Sequence, residues 1–381
     1  MSTDGGLRIG LVAGEVSGDR LGAALLAALR ERGELAAAFG MAGPAMRAHG
    51  CQALARAEDL SVMGLVEVVR AYPRLWSLRN RLGDQLLAAR PDVVVGIDVP
   101  DFNLGLERRL KAAGVCTVHW VCPQAWAWRE GRAVDIRRAV DRLLALFPFE
   151  VDFFSQRGIP TEFVGHPLAD QLPLEPDRPA ARQALGLGVA QPVLALMPGS
   201  RSQELAQLLE PFVAAARIVR ECRPDTRLVV GTAHEAHARR ARAALSGMGA
   251  IVVTGQSHQV LTAADVVLAA SGTVTLEALL CATPMVVGYR MAGLSYHIIR
   301  SMVKIPRIAL PNILAERDLV PELLQNALTP AALAEAALAW FDQPARRADF
   351  VRASRALHRE LRRDAAGRAA EVVSRLARSG T

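Results

Sequence analysis

Residues 269–290 read AASGTVTLEALLCATPMVVGYR. The apolar run Val266 to Ala270 that leads into them has the composition of a buried strand. Ser271-Gly272-Thr273 then makes a tight turn, Thr275 to Cys281 reads as a helix, Pro284 ends it, and Met285 to Tyr289 begins another strand. A small-residue turn that opens a helix after a strand leaves backbone N–H groups and the helix dipole pointing at any anion in front of it. Glu277 follows Thr273 by about one helical turn, where a carboxylate can accept both hydroxyls of a ribose. The stretch alone leaves two readings open. One is a nucleotide diphosphate whose sugar is held by Glu277; the other is an ordinary strand–turn–helix connection with a solvated glutamate.

The same alternation extends in both directions. Val193 to Met197 is a strand ending in Pro198-Gly199-Ser200-Arg201, which opens a helix containing Glu204. This is a second anion turn, now with an arginine able to bind a phosphate bidentately. Arg227 to Thr232 and Ile251 to Thr254 are further strands of this series. An earlier series begins with Arg8 to Ala13, followed by Gly14-Glu15-Val16-Ser17-Gly18-Asp19 and a helix. That turn lacks the lysine of a P-loop and the spacing of G-x-G-x-x-G. Ser17 or Asp19 can cap the helix, or the glycines can let a ligand approach the backbone. Phe39 to Gly43, Asp92 to Asp98, Cys116 to Val121, Leu143 to Phe147 and Glu162 to Val164 continue the series to Gly165-His166-Pro167.

The run DVVVGID, Asp92 to Asp98, is β-branched and suited to burial on both faces, as in a parallel sheet. It delivers Asp98 at its carboxyl end, where open α/β sheets bind ligands. Pro100 keeps Val99 out of helix, so Asp98 and Asp101 share a stiff loop, with Asp101 or Asn103 as caps of the next helix. Trp126 and Trp128, followed by Arg129, form either a cleft wall or a hydrophobic staple. Leu65, Val66, Val68, Val69, Tyr72, Leu75 and Trp76 recur at helical spacing among Arg70, Arg74, Arg79 and Arg81, with a break expected at Pro73. They form either a core-packed helix pair or an apolar stripe that sits on a membrane surface. The expected architecture is α/β, two doubly wound Rossmann-like domains facing a cleft, with Asp98 on one side and the anion turns on the other. The domains span 1–166 and 167–345, and the helices of 346–381 pack back on the first.

The composition fits a soluble globular chain: 51% hydrophobic, 22% charged and 381 residues, enough for two cores. No apolar run approaches the roughly 20 residues of a spanning helix, and the N-terminus does not read as a signal peptide, so cytoplasm is expected. Five scattered cysteines without a C-x-x-C pair suggest neither disulfides nor zinc, and reduced, buried thiols are expected. The net charge of +7 is partly local, with ten arginines from Arg346 to Arg378. Basic residues interleaved with aromatics, as single-strand binding needs, are absent there, so no nucleic-acid partner is expected.

Taken together, several segments resemble those of the lipid-A-disaccharide synthase family. They are Gly14-Glu15-x-Ser17-Gly18-Asp19, Gly96-Ile97-Asp98-x-Pro100-Asp101-Phe102-Asn103, Trp126-Ala127-Trp128-Arg129, Pro198-Gly199-Ser200-Arg201, Ser271-Gly272-Thr273, Val287-Gly288-Tyr289 and Leu310-Pro311-Asn312. The resemblance runs in order from about Leu7 to Gln325. It departs at Cys122 and Gln124, and at Glu316, where many members carry glycine.

The resemblance implies an inverting GT-B glycosyltransferase. It would join UDP-2,3-diacylglucosamine to 2,3-diacylglucosamine 1-phosphate (lipid X), giving the β-1,6 disaccharide and UDP. Asp98 would be the general base. Gly199, Ser200, Arg201, Glu204, Ser271, Gly272, Thr273, Glu277, Asn312 and Gln325 would hold the donor. Gly14, Glu15, Ser17, Gly18, Asp19, Trp126, Trp128 and Arg129 would line the acceptor side. It further implies no cofactor or metal, a homodimer exchanging C-terminal parts, and peripheral attachment to the inner face of the inner membrane. The charge pattern agrees, since Asp98-x-x-Asp101 is not the D-x-D of metal-dependent transferases. Another UDP-sugar enzyme such as an epimerase, or a non-enzymatic membrane-associated nucleotide binder, remains as an alternative.

Overall fold

Val93–Ile97, the strand carried by VVVGI, is buried along its whole length, and two parallel neighbours flank it. It belongs to a seven-stranded sheet in the computed structural model, which describes residues 6–60, 65–128, 130–291 and 306–379; for 65–72, 127, 128 and 130 only the backbone is described. The strands are β1 Leu7–Ala13, β2 Leu35–Ala42, β3 Gln52–Arg56, β4 Val93–Ile97, β5 Cys116–Trp120, β6 Arg142–Ala145 and β7 Thr161–Phe163, in the order β3-β2-β1-β4-β5-β6-β7. A second sheet holds β8 Val193–Met197, β9 Arg227–Thr232, β10 Ile251–Thr254, β11 Val266–Ala270, β12 Met285–Tyr289 and β13 Glu322–Leu324, in the order β10-β9-β8-β11-β12-β13. All the described pairings are parallel. Parallel neighbours need crossover connections, and helices supply them.

Backbone contacts divide the chain into one unit of Met1–Asp170 with Leu361–Thr381 and another of Gln171–Glu360. The C-terminal helices therefore do not stay together, contrary to the grouping of 346–381 expected above. Helix Pro344–Leu361 lies largely in the second unit, where Phe350 is fully buried edge-on against Trp340 and Asp349 pairs with Arg317. Helix Ala365–Ser379 buries Ala369, Ala370, Val372 and Val373 in the first unit, and Arg378 pairs with Glu34.

In each sheet the strand order reverses once, between β1 and β4 and between β8 and β11. Such a reversal opens a crevice at the carboxyl ends of the strands. Ala13 pairs with Ile97, so Gly14 and Asp98 leave the first sheet side by side. Met197 pairs with Ala269, so the Pro198–Arg201 and Ser271–Thr273 turns leave the second sheet together.

Helix Leu65–Ala89 runs through Pro73 rather than breaking there. The proline removes one helical hydrogen bond, but Leu78, Leu82 and Leu86 lock the downstream face into a core with Val94, Phe102 and Leu106. The edge strands β3 and β13, absent from the sequence reading, are short and only partly buried, so they present no apolar run. Glu316 has φ 52, a left-handed position that glycine takes without strain. The free cysteines Cys51, Cys116, Cys122 and Cys281 are buried, but Cys222 is exposed at the end of helix Ser202–Cys222, against the expectation for all five. Burial pushes the Cys51 thiol up to about 12 and those of Cys116 and Cys281 to about 11, which leaves them unreactive.

Candidate active site

Asp98 and Val99 carry φ values of 54 and 44, two consecutive non-glycine residues in the left-handed region. Each costs of order 1–3 kcal/mol unless the surroundings enforce it. The Asp98 main-chain N–H donates to Trp120 O at 2.9 Å, and its carbonyl accepts from Asn103 Nδ2 at 2.7 Å. Its Oδ1 accepts from Val99 N–H at 2.8 Å. Among the described residues no donor reaches Oδ2, so a half-buried carboxylate offers one oxygen outward. Neither Asp101 nor Asn103 caps helix Pro100–Ala112. Asp101 is exposed and pairs with Arg132, and Asn103 is buried in hydrogen bonds to Val12 O, Ile97 O and Asp98 O.

Around Gly14 the expected ligand contacts divide. Glu15 and Ser17 are exposed, whereas Gly14 and Gly18 are buried. A Cβ at Gly14 would lie 2.5 Å from Leu60 Cδ1, and one at Gly18 would lie 3.3 Å from the Ala13 Cβ, so both glycines serve close packing. Asp19 is engaged within the fold. It is 3% exposed and accepts from the N–H groups of Gly43, Ala45 and Met46 at 2.9, 2.7 and 3.1 Å. Its carboxylate caps helix Pro44–Ala48, not its own helix. Trp126 stacks edge-on against Phe149 at 4.9 Å and packs on the core around Leu104 and Cys122. The Trp128 side chain and Arg129 lie outside the described residues.

Beside Trp126 sits a carboxyl that the sequence reading passed over. Glu150 is buried and accepts from Leu146 and Phe147 N–H, both at 3.1 Å. Desolvation outweighs these bonds and pushes its pKa up to about 8. A carboxyl raised above its ordinary 4.5 contributes stability that is full below that value and is lost as pH rises through about 8. Nearby His166 has the opposite sense: burial lowers it to about 4, so its contribution is full above 6.5 and is lost as pH falls through about 4. Glu150→Gln keeps an acceptor for both N–H groups and removes the titration. The Tm of the native chain is therefore expected to fall relative to that of Glu150→Gln between about pH 5 and 8. A Tm difference flat with pH over that range would mean the carboxyl is ionised throughout.

In the second unit the two anion turns are not equivalent. At the β8 turn, Glu204 Oε2 accepts from Ser200 and Arg201 N–H at 3.1 and 3.2 Å, and Oε1 meets Arg201 at 2.9 Å. The helix N-terminus is thus capped by its own carboxylate. Glu204 acts here as a capping residue, and Gly199 holds φ 107, where an added Cβ would lie 2.6 Å from the Glu204 Cβ. The Arg201 side chain is 82% exposed and can still swing toward a ligand. At the β11 turn no side chain among the described residues caps helix Thr273–Leu280, and Gly272 holds φ 145, a conformation that other residues rarely adopt. Gly272 and Thr273 are exposed, so this N-terminus is open.

Glu277 sits one turn further on. Its side chain is 17% exposed, and His258 Nε2 lies 3.5 Å from Oε2, which is buried without a hydrogen-bond partner. Orphaned buried oxygens are rare and ask for a donor. His258 was missed because nothing local in the sequence ties it to Glu277. Asn312 is buried: its amide donates to Val320 O and Glu322, and its oxygen accepts from Val320 N–H. It fastens the loop before β13. Gln325, with φ 50, keeps a buried Nε2 without a partner and remains able to meet a ligand.

A family model described as lipid-A-disaccharide synthetase matches residues 9–374. The lipid-A-disaccharide synthase of Pseudomonas paraeruginosa is 50% identical, covering 98% of each chain. That of Xanthomonas campestris pv. campestris is 48% identical over 97% of this chain and 86% of its own. Among solved structures, the UDP-GlcNAc 2-epimerase of Neisseria meningitidis bound to UDP-GlcNAc aligns with TM-score 0.66 at 12% identity, covering 98% of this chain and all (100%) of the other. The kitacinnamycin glycosyltransferase aligns with TM-score 0.65 at 19% identity, over 97% and 99%. These structural likenesses show the fold alone, which is GT-B.

Proposed function

The chain belongs to the lipid-A-disaccharide synthetase family, and from that premise we propose that it joins UDP-2,3-diacylglucosamine to lipid X, with inversion, releasing UDP. The observation that carries the reading is the uncapped helix at Gly272 with the orphaned Glu277 oxygen one turn on. The open N–H groups suit the diphosphate, and Glu277 suits the ribose. On the first unit, Asp98 Oδ2 takes the proton of the acceptor hydroxyl as its oxygen attacks the anomeric carbon. The C–O bond to UDP breaks, and the helix N-terminus with Arg201 stabilises the charge that the leaving diphosphate gains. No metal is needed on this reading. The test is whether purified protein releases UDP from the diacylated donor only when diacylated acceptor is present, and still does so in excess EDTA. UDP release without acceptor, or an epimerised sugar, would point to the alternative enzyme class. Loss in EDTA restored by Mg²⁺ would remove the metal-free step.

Both substrates carry acyl chains, so the protein is proposed to work at the inner face of the inner membrane, reached from the cytoplasm. Among the described residues no helix is long and apolar enough to cross a membrane, so attachment would be peripheral. Of the expected stripe, the side chains of Leu65, Val66, Val68, Val69 and Tyr72 lie outside the described residues; Leu75 is half-buried and Trp76 is 54% exposed. Trp76 points away from the face that buries Leu78, Leu82 and Leu86. Burying such a side chain is worth ~1.5–3 kcal/mol, so Trp76→Ser is expected to weaken binding to anionic liposomes by about one to two decades with an unchanged Tm. Unchanged liposome binding would move the docking surface elsewhere. The resemblance also carries a homodimer exchanging C-terminal parts; light scattering that finds only monomer would remove it.

A further inference from the structure

Beneath Asp98 lies a buried polar cluster that the proposed reaction does not use. Asn103 and Glu107 are one turn apart on helix Pro100–Ala112, each 1% exposed, and both face Gly96 of β4. A Cβ at Gly96 would collide with Glu107 Oε1 and lie 3.2 Å from the Asn103 Cβ, so the glycine lets the helix dock with this pair seated against the strand. His119 is Gly96's registered partner on β5, and its Nδ1 meets Glu107 Oε1 at 2.8 Å with both side chains buried. Asn103 Oδ1, Glu107 Oε2 and His119 Nε2 have no hydrogen-bond partner among the described residues. An apolar packing of this helix would leave no such atoms, so the cluster calls for a reason beyond stability.

The reason lies two residues beyond Gly96. Asn103 Nδ2 donates to Asp98 O at 2.7 Å and reaches Val12 O and Ile97 O at 3.3 Å, which ties β1, β4 and the strained loop to one amide. Its own N–H donates to Val99 O at 3.0 Å. We propose that Asn103 is a positioning residue for the transfer reaction: fixed against Gly96 beside the buried Glu107–His119 pair, it holds Asp98 and Val99 in the left-handed conformation that turns Asp98 Oδ2 outward. Asn103 touches no substrate. It acts through the backbone of the base, and without its amide the two left-handed residues relax and the carboxylate swings out of line.

The proposal rests on Asp98 as the base, and the variants separate the two. Asn103→Ala is expected to lower kcat by about 10–100-fold, the range in which small misplacements of catalytic groups act. The KM for the donor and the affinity for UDP should stay within about twofold. Glycine adopts φ near 44 freely, so adding Val99→Gly to Asn103→Ala should recover about tenfold of the lost kcat, a rescue that a purely structural role would not produce. Turnover of Asn103→Ala within about twofold of native, or a double variant no faster than the single one, overturns the proposal. If Asn103→Ala does not accumulate as folded protein, Asn103→Ser, too short to reach Asp98 O, is read by the same criteria with and without Val99→Gly. An active Asp98→Asn removes the base and this inference with it. An inactive Asp98→Asn beside a native-like Asn103→Ala removes only the positioning.

Discussion

Asp98→Asn is expected to abolish sugar transfer, lowering kcat by roughly 10³-fold or more, while UDP binds as tightly as before. The substitution changes very little besides basicity. The main-chain bonds to Trp120 O and Asn103 Nδ2 do not involve the side chain, and an amide oxygen can still accept from Val99 N–H. The left-handed backbone at 98 and 99 is therefore kept, and asparagine is among the residues that tolerate it best. What is lost is an oxygen that can take a proton from the attacking hydroxyl. General-base catalysis contributes typically 10²–10⁴-fold, and without it the acceptor attacks as a neutral alcohol. The residues proposed to hold the nucleotide all belong to the second unit, so calorimetric UDP affinity serves as the control. Turnover within about tenfold of native would remove Asp98 as the base, and a parallel loss of UDP affinity would mean the substitution had disturbed more than basicity.

Much of this is legible in the sequence. VVVGI announces a strand buried on both faces, and the strand-then-small-turn grammar put Asp98, Ser200 and Ser271 at carboxyl strand ends. What the sequence hides has a shared cause: a polar side chain offers a cap on its own helix or a contact to a ligand, whereas its hydrogen bonds in the fold run elsewhere. Asp19 caps a helix that starts 25 residues later, at Pro44. Asn312 binds Val320 and Glu322 across a loop. Glu204 covers the N–H groups that a phosphate was expected to take. Polar side chains with several hydrogen-bonding atoms have local and distant options, and sequence displays only the local ones. Asn103 is the clearest case, because its spacing offers an ordinary cap and its burial makes it a clamp on the loop of Asp98. The Glu107–His119 pair was invisible for the same reason, since its partners lie on adjacent elements and meet only over Gly96.

The donor site can be tested at Glu277 Oε2, a buried oxygen without a hydrogen-bond partner among the described residues. Glu277 presents a carboxylate that is mostly buried, with His258 Nε2 at 3.5 Å and Oε2 unsatisfied. A ribose diol is the donor that fits a carboxylate one helical turn behind a diphosphate turn, because two adjacent hydroxyls match its two oxygens. Hydrogen bonds to a charged group are worth ~1.5–3 kcal/mol, so Glu277→Ala is expected to weaken UDP binding by about one to two decades. Affinity loss alone would not identify the ribose, since a shifted helix would also weaken binding. The sharper expectation concerns the ligand: native protein binds 2′-deoxy-UDP about tenfold more weakly than UDP, and Glu277→Ala binds the two alike. Arg201→Ala, by contrast, removes a guanidinium directed at phosphate, so it should weaken both ligands by a similar factor and preserve the discrimination between them. If Glu277→Ala still separates UDP from its deoxy analogue, the orphaned oxygen is not the ribose acceptor, and the sugar of the nucleotide is read by another group, with Gln325 and its unpartnered amide the next to test.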